Sequence, residues 1–319
     1  MMMRRYICAA LAICAAPALA EDAGKAPSFT IRDLGQHSYI VEGGTSNAAF
    51  IVGDKGVILI DAQRTEPEAK AEMKLISSVT QKPITTAILT HSDPDHIGGL
   101  PAYPGKLTVI AQENTKATIV ASAADAANGG PFFGPIYTRI ANGYLPTTTV
   151  AGDENVTIDG VRMQFFHAFA HSSGDLFVYL PDRKIVFAGD IVLTDKGRFP
   201  IIHLGGSSLG WIEAMRTILA LDADVIVPGH GPVESAAQLR GRLADAEKRR
   251  ADIKAMIDAG KSWKDIAAAL PEQTEVPVFP SYTWTTYQEL IRGYPEAVPP
   301  WANMQVRKEQ DAASANPAN

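Results

Sequence analysis

The ten residues from Thr90 to Gly99, which run Thr-His-Ser-Asp-Pro-Asp-His-Ile-Gly-Gly, constrain this chain more than any other part of it. They place two imidazoles and two carboxylates within six residues, directly after a predicted apolar strand. Aspartate, proline and glycine also favour turns, but a turn does not require histidine at both ends. Imidazole and carboxylate suit zinc, manganese or iron. The segment therefore predicts two neighbouring cations, one held by His91 and Asp93 and one held by Asp95 and His96.

Three single residues further along the chain share this placement. His171 lies between two predicted strands, Asp190 follows an apolar run, and His230 follows another apolar strand. Each residue alone also fits a turn or a helix cap. Because the strand ends of a sheet present loop residues to one site, the shared placement predicts that all three are ligands of the same centre.

Apolar and alternating segments predict strands, helices, strands and helices in that order, with no linker between the halves. We therefore predict one α/β (α+β) domain of two packed sheets covered by helices. A long connection is predicted at 129–149, and the segment from Pro271 is expected to wrap the surface. Long loops in compact domains are often lids. The rings of this connection are therefore predicted either to line the substrate or to pack onto the sheet edge: Phe132, Phe133, Tyr137 and Tyr144.

The first twenty residues have the pattern of a secretory signal peptide. Arg4 and Arg5 precede a short apolar run, and Ala18-Leu19-Ala20 has the small-x-small form of a cleavage site. We expect cleavage after Ala20 and a periplasmic or secreted mature chain. A membrane anchor is an alternative, although the apolar run is short for a bilayer span. A lipid attached to Cys14 is another alternative.

Charge and cysteine content restrict the partners and the chemistry. Both cysteines, Cys8 and Cys14, lie in the predicted signal, so the mature chain would have no thiolate ligand or nucleophile. The net charge of −6 argues against nucleic acid or an anionic membrane as a partner. No later segment predicts a membrane span after signal cleavage. A small-molecule substrate is the expected partner, and the oligomeric state stays open.

At these ligand residues the chain resembles the metallo-β-lactamase superfamily, over roughly Tyr39 to Val233. The resemblance implies a four-layer αββα sandwich with two metals in a cleft at one edge of the sheets. It also implies that Asp61 hydrogen-bonds a ligand imidazole, the alternative being a cap at a strand end. The implied ligands are His91, Asp93 and His171 for the first metal, Asp95, His96 and His230 for the second, and Asp190 as the bridge.

We expect a signal at 1–20, a single domain at 21–305 and a disordered tail at 306–319. The core of that domain is expected at about 39–233, with C-terminal helices and an extension at 234–305.

One departure from the family pattern concerns metal identity. The usual first motif has histidine where this chain has Asp93, although some branches of the superfamily carry the aspartate. An oxygen donor makes the first site harder and more anionic. Two divalent ions are expected, with zinc favoured and manganese or iron as alternatives. No ligand cysteine is present, which separates the chain from zinc β-lactamases that use one.

The predicted activity is hydrolysis by a hydroxide shared between two metals, since metal binding lowers the pKa of water to about 7. Asp95 is placed to orient this hydroxide and to carry its proton. Candidate substrates are an ester, a lactone, a β-lactam or a phosphoester. An iron-dependent oxygen or thiol oxidoreductase on the same fold is the main alternative, and a binding protein with an inactivated site is another. His203, in a glycine-rich stretch, is a further candidate to line the substrate cleft.

Overall fold

The computed structural model describes residues 28–103, 105–126, 133–195, 197, 199–272, 279–293 and 313. The predicted signal peptide, Phe132 and the predicted tail apart from residue 313 lie outside this part of the chain. Within the described ranges, no helix combines the length and the apolar character needed to cross a membrane.

The first sheet follows chain order from one edge to the other. Its strands β1 to β4 pair antiparallel, and β4 to β7 pair parallel. Strand β4 reads Val-Ile-Leu-Ile and is buried throughout, as expected for a strand covered on both faces. The strands are β1 (Thr30–Gly35), β2 (Ser38–Glu42), β3 (Ala48–Val52), β4 (Val57–Ile60), β5 (Ile84–Ile88), β6 (Thr108–Gln112) and β7 (Thr148–Val150).

The second sheet has the order β12-β11-β10-β9-β8. Strands β8 to β11 pair antiparallel, whereas β11 and β12 are parallel and are joined through a helix. The strands are β8 (Glu154–Ile158), β9 (Val161–Ala168), β10 (Asp175–Leu180), β11 (Ile185–Phe187) and β12 (Val225–Val227).

Eight α-helices lie in the described ranges. They are α1 (Glu66–Val79), α2 (Pro94–Ile97), α3 (Glu113–Ala126), α4 (Gly134–Ala141), α5 (Ser208–Ala220), α6 (Ala236–Asp258), α7 (Trp263–Ala269) and α8 (Tyr282–Arg292). Helices α1 and α5 pack on the outer faces of the first and second sheet. Short 3-10 turns lie at Leu100–Ala102 and Gly189–Ile191.

Three apolar layers hold the elements together. Between the sheets, Ile58 of the first sheet and Phe165 of the second belong to one buried cluster. Ile76 of α1 belongs to the cluster on the outer face of the first sheet. Trp211 and Met215 of α5 belong to the cluster on the outer face of the second. The predicted αββα sandwich is therefore confirmed.

Two segments differ from the prediction. The connection at 129–149 contains α4 and β7, so the expectation of one long irregular loop is wrong. Pro135 fits the first turn of α4, and Tyr137 and Ile140 bury one face of it. The segment after Pro271 contains α8, whose N-cap Ser281 accepts a hydrogen bond from the N–H of Trp284 at 3.0 Å. In both places glycine, proline and polar residues flank a short helix and weaken its signal in the sequence, and tertiary packing stabilises the helix.

Candidate metal centre

Loops from both sheets meet at one edge of the sandwich and bring all seven predicted ligands together. His91 and Asp93 follow β5, and the next two ligands lie in the short helix α2. His171 lies in the β9–β10 loop, Asp190 follows β11 in a 3-10 turn, and His230 follows β12. Strand ends therefore position every ligand, as the sequence predicts.

The first cluster contains His91, Asp93, His171 and Asp190, each buried, with one donor atom of each within 4.8 Å of the others. The Nε2 atom of His171 lies 3.3 Å from Oδ2 of Asp93, and the Nε2 atom of His91 lies 3.7 Å from it. These separations are close to those of donors that share one cation.

The second cluster contains Asp95, His96 and His230, whose donor atoms also lie within 4.8 Å of one another. The Nε2 atom of His230 lies 3.2 Å from Oδ2 of Asp95, and that of His96 lies 3.8 Å from it. These are the three residues expected at the second metal.

Asp190 faces both clusters. Its Oδ1 lies 3.2 Å from Nε2 of His96, and its Oδ2 lies 3.5 Å from Nε2 of His230, both in the second cluster. Its Oδ2 is also 3.8 Å from Nε2 of His91 and 3.8 Å from Nε2 of His171, in the first. One carboxylate thus lies between the two groups, which is the position that a bridging ligand requires.

Unpaired donor atoms indicate that this centre fits cations. Among the described residues, four of its buried atoms have no hydrogen-bond partner: His91 Nε2, His96 Nε2, Asp93 Oδ1 and Asp190 Oδ1. A buried polar atom without a partner costs about 1–3 kcal/mol, so a cluster of them requires an explanation. Imidazole nitrogens and carboxylate oxygens that converge are zinc-type donors, and one cation in each cluster would satisfy the four atoms between them.

Asp61 sets the orientation of one imidazole in each cluster. Its Oδ2 accepts a hydrogen bond from Nδ1 of His96 at 2.8 Å, and also accepts one from the hydroxyl of Thr90 at 2.8 Å. The hydroxyl oxygen of Thr90 lies 3.0 Å from Nδ1 of His91. Because the hydroxyl hydrogen points to Asp61, this oxygen accepts a hydrogen bond from Nδ1–H of His91. Both imidazoles therefore carry their Nδ1 proton outward and turn Nε2 to the centre. The predicted contact between Asp61 and a ligand imidazole is present.

His171 and His203 are held side by side. The Nδ1 atom of His171 donates to the carbonyl of Ile201 at 2.8 Å, which leaves its Nε2 facing the centre. His203 is buried, and its Nε2 lies 2.9 Å from Nε2 of His171 and 2.9 Å from Oδ2 of Asp93. The sequence suggested His203 only as a residue lining the cleft, and the structure brings it into contact with two ligands.

Charge at the centre follows from these contacts. Burial disfavours ionised Asp93, but His203 and His91 outweigh it and hold its pKa well below the usual value. Burial opposes protonation of His171 and His230, but contacts with Asp93 and Asp190 raise the pKa of His171 to about 9, and those with Asp190 and Asp95 raise that of His230 to about 10. Without metal, Asp93 is therefore charged, and the imidazoles of His171 and His230 hold a proton at neutral pH.

Small residues and one amide shape the loops that carry the ligands. A Cβ at Gly229 would collide with Oδ1 of Asp190, so glycine allows the His230 loop to pass the bridging carboxylate. The side-chain amide of Asn47 donates to the carbonyls of Pro228 at 3.0 Å and Gly231 at 2.8 Å and clamps the same loop. Sequence reasoning missed Asn47, because nothing in its local sequence indicates a contact with a loop so far along the chain.

The aromatic residues predicted as a lid occupy different positions. Phe133 is 38% exposed, with the guanidinium of Arg64 5.8 Å from its ring centroid. Tyr137 is buried in α4, and burial together with the charges of Asp93 and Asp95 raises the pKa of its phenol. Tyr144 packs against the outer apolar face of the first sheet. The charges of the centre therefore act on the buried phenol of Tyr137.

Comparison with known proteins agrees with this geometry. A linear primary-alkylsulfatase from a Pseudomonas strain is 25% identical over 216 residues, 57% of this chain and 40% of that protein. The alpha subunit of a 2,4-dinitroanisole O-demethylase from a Nocardioides strain is 28% identical over 211 residues, 64% of this chain and 58% of that protein. The chain thus spans only about half the length of these two relatives.

Among solved structures, the stereoselective inverting sec-alkylsulfatase Pisa1 from Pseudomonas sp. superposes with a TM-score of 0.59 at 20% identity, over 91% of this chain and 52% of that one. The model of the metallo-β-lactamase superfamily matches residues 41–230, which include all seven ligand residues and Asp61. The chain therefore belongs to the metallo-β-lactamase superfamily.

Proposed function

We propose that this chain is a binuclear metal-dependent hydrolase that cleaves a small organic ester, with alkyl or aryl sulfate esters as the preferred class. One observation carries the hydrolytic assignment. Two clusters of metal-type donors share the carboxylate of Asp190, whose Oδ2 lies 3.5 Å from Nε2 of His230 in one cluster and 3.8 Å from Nε2 of His91 in the other. Such a centre suits activation of a water between two cations.

Bound cations would supply a lowered water pKa and polarisation of the bond under attack. The protein residues orient the reactants. Asp95 is the most exposed ligand carboxylate, with 22% of its side chain accessible, against 13% for Asp93 and 7% for Asp190. Asp95 therefore faces the side from which substrate enters, and we assign it to orienting the attacking water and accepting its proton.

Charge balance favours a neutral or singly charged substrate. The three ligand carboxylates, together with one hydroxide, would neutralise two bound divalent cations. Within the described part of the chain, the ion pairs of these carboxylates involve only histidines. A neutral centre of this kind attracts a dianion, such as a phosphate monoester, less strongly than a centre with net positive charge would. A carboxylic ester, a lactone or a sulfate monoester, which carries at most one negative charge, fits better.

The relatives narrow the choice further. One carries the name of a linear primary-alkylsulfatase and one that of the alpha subunit of a 2,4-dinitroanisole O-demethylase. Both names describe cleavage at an oxygen that joins an organic group. We therefore place sulfate esters first. The apolar part of such a substrate would lie beside Phe133 and Phe279, whose rings lie close to Arg64 and His203.

The iron-dependent oxidoreductase remains the second candidate because Asp93 adds a hard oxygen donor to the first cluster. The presence of His96 in a complete second cluster favours the binuclear hydrolase. Export through a signal cleaved after Ala20 is a further proposal, based on the sequence pattern of the first twenty residues. Intact-mass analysis of the secreted protein would test it.

A substrate screen tests the proposed function. The protein is reconstituted with zinc or manganese and offered 4-nitrophenyl sulfate, decyl sulfate, 4-nitrophenyl acetate, 4-nitrophenyl phosphate, a γ-lactone and a chromogenic cephalosporin. We expect metal-dependent turnover of a sulfate ester at a higher kcat/KM than the phosphate ester, and its loss in Asp190→Ala. Preference for the phosphate would refute the substrate class alone. Metal-independent rates, or oxygen consumption with a thiol in place of hydrolysis, would refute the hydrolase.

A further inference from the structure

His203 is the one imidazole at the centre that the resemblance does not assign to a metal. Its Nε2 atom is 2.9 Å from Nε2 of His171 and 2.9 Å from Oδ2 of Asp93, and those two atoms are 3.3 Å apart. Three donor atoms thus form a compact triangle on one face of the first cluster. Donors bonded to one zinc at about 2.0–2.2 Å lie about 2.9–3.6 Å apart, depending on the coordination number.

The chemistry of the three atoms points to a shared positive charge. His171 uses Nδ1 to donate to the carbonyl of Ile201, so its Nε2 is the nitrogen left for a proton or a cation. Asp93 presents a carboxylate oxygen. Two imidazole nitrogens and a carboxylate oxygen approach this closely only around a proton or a metal ion, because their lone pairs otherwise repel one another.

The backbone holds His203 in this place. Its N–H donates to the carbonyl of His171 at 2.8 Å, and the N–H of Ser173 donates to the carbonyl of Leu204 at 3.1 Å. Leu204 has a φ of 49°, a left-handed conformation that costs a non-glycine residue roughly 1–2 kcal/mol. A Cβ at Gly206 would collide with the carbonyls of the His171 loop. Backbone hydrogen bonds thus hold the two loops together against the strain at Leu204, and Gly206 allows their close approach.

We propose that His203 is a direct ligand of the first metal and supplies the imidazole that Asp93 replaces in the family motif. The first site of this chain would then contain His91, Asp93, His171 and His203, with Asp190 as the bridge. Three imidazoles restore affinity for zinc while the carboxylate of Asp93 lowers the charge of the site. The inference rests on the metal centre of the proposed function and adds a ligand to it.

Cobalt(II) titration of the full-length, chelator-treated protein tests the inference. Imidazoles bound through Nε2 give hyperfine-shifted, exchangeable Nδ1–H signals in proton NMR of the cobalt form. We expect His203→Ala and His203→Gln to show one fewer such signal than the wild type. We also expect at least tenfold weaker cobalt binding at one of two sites and an altered visible absorption band at that site.

A matched control removes a histidine elsewhere. His37 is exposed in the β1–β2 turn with a φ of 63°, and asparagine tolerates that backbone, so His37→Asn should change neither the spectrum nor the affinities. The number of these signals in the wild type is a test that does not depend on how the variants fold, because His203 adds one to the four from His91, His96, His171 and His230. Unchanged signals and affinities in both His203 variants, with two cobalt ions bound, would overturn this inference alone. Failure of the wild type to bind cobalt would overturn the metal centre itself.

Discussion

Replacing Asp61 with asparagine is expected to weaken metal binding in both clusters, although Asp61 is not itself a ligand. Its carboxylate accepts directly from His96 and, through the hydroxyl of Thr90, orients His91. Asparagine is nearly isosteric and tolerates the φ of 63° at this position, so the substitution removes charge without new backbone strain. The buried amide would also place an N–H group against one of the donors that Asp61 now satisfies.

The expected loss of metal affinity follows from the two contacts of Asp61, one directly with His96 and one with His91 through Thr90. Loss of a carboxylate partner to a ligand histidine typically costs 10–100-fold in metal affinity. The direct contact with His96 predicts a loss of about 30-fold at the second cluster, or about 2 kcal/mol. The contact with His91 passes through Thr90, whose hydroxyl can turn to another acceptor. We therefore expect a loss of metal affinity of about tenfold at the first cluster.

Competition with a chromophoric zinc chelator measures both affinities, and thermal unfolding in EDTA verifies that the metal-free variant is folded. Thr90→Val is the matched control, because valine keeps the buried shape but removes only the relay to His91. It should weaken the first site and leave the second within about twofold. Affinities of Asp61→Asn within about threefold of wild type at both sites would refute this reasoning, as would an equal loss at both sites in Thr90→Val.

Other consequences of the geometry are open to direct measurement. Asp190→Ala should weaken both sites by at least about tenfold in equilibrium dialysis, and retention of two tightly bound ions would contradict the bridge. Asp93→His should raise the affinity for zinc relative to manganese, and an unchanged ratio would count against a tuning role. The pKa values of His171 (about 9) and His230 (about 10) lie above neutrality, so both imidazoles hold a proton that zinc must displace. Zinc binding at pH 7 should therefore release protons, and the zinc affinity should increase as pH rises towards those values. Binding heats that do not depend on the ionisation heat of the buffer would contradict this. Tyr137→Phe should lower kcat/KM on the true substrate by about tenfold with metal content unchanged, whereas equal kinetics would make Tyr137 purely structural.

The ligand residues could be found from sequence because each follows an apolar strand. His91, Asp190 and His230 come shortly after short apolar runs in which buried strands end, and buried strands end at a common edge. The dense first motif then identified the centre as metal-binding. The layer architecture followed from the same alternation of strand and helix patterns. These features depend on local periodicity, which a single sequence contains.

The remaining features depend on contacts between distant segments. The rings of His203 and His171 lie 4.5 Å apart because two loops pair through backbone hydrogen bonds, and side-chain identities do not encode that pairing. The helix α4 is short and flanked by glycine and proline, so its local signal is weak. Asn47 holds the loop of Pro228, a residue that lies 181 positions further along the chain. In each case the deciding energy is tertiary and has no local pattern.

Helix α8 makes contacts of this kind that extend to the centre. The carboxylate of Glu289 accepts from the N–H of Ser208 at 2.6 Å and from its hydroxyl at 2.6 Å, both buried, and from the partly buried guanidinium of Arg250 at 2.7 Å. It therefore caps the start of α5, which follows the His203 loop directly, and Phe279 packs its ring 4.6 Å from that of His203. Breaking a buried ion pair of this kind costs about 3–5 kcal/mol, because the remaining charge loses its partner. The helices beyond residue 234 thus fix the loop that completes the first cluster, and they belong to the functional unit as much as the strands that carry the ligands.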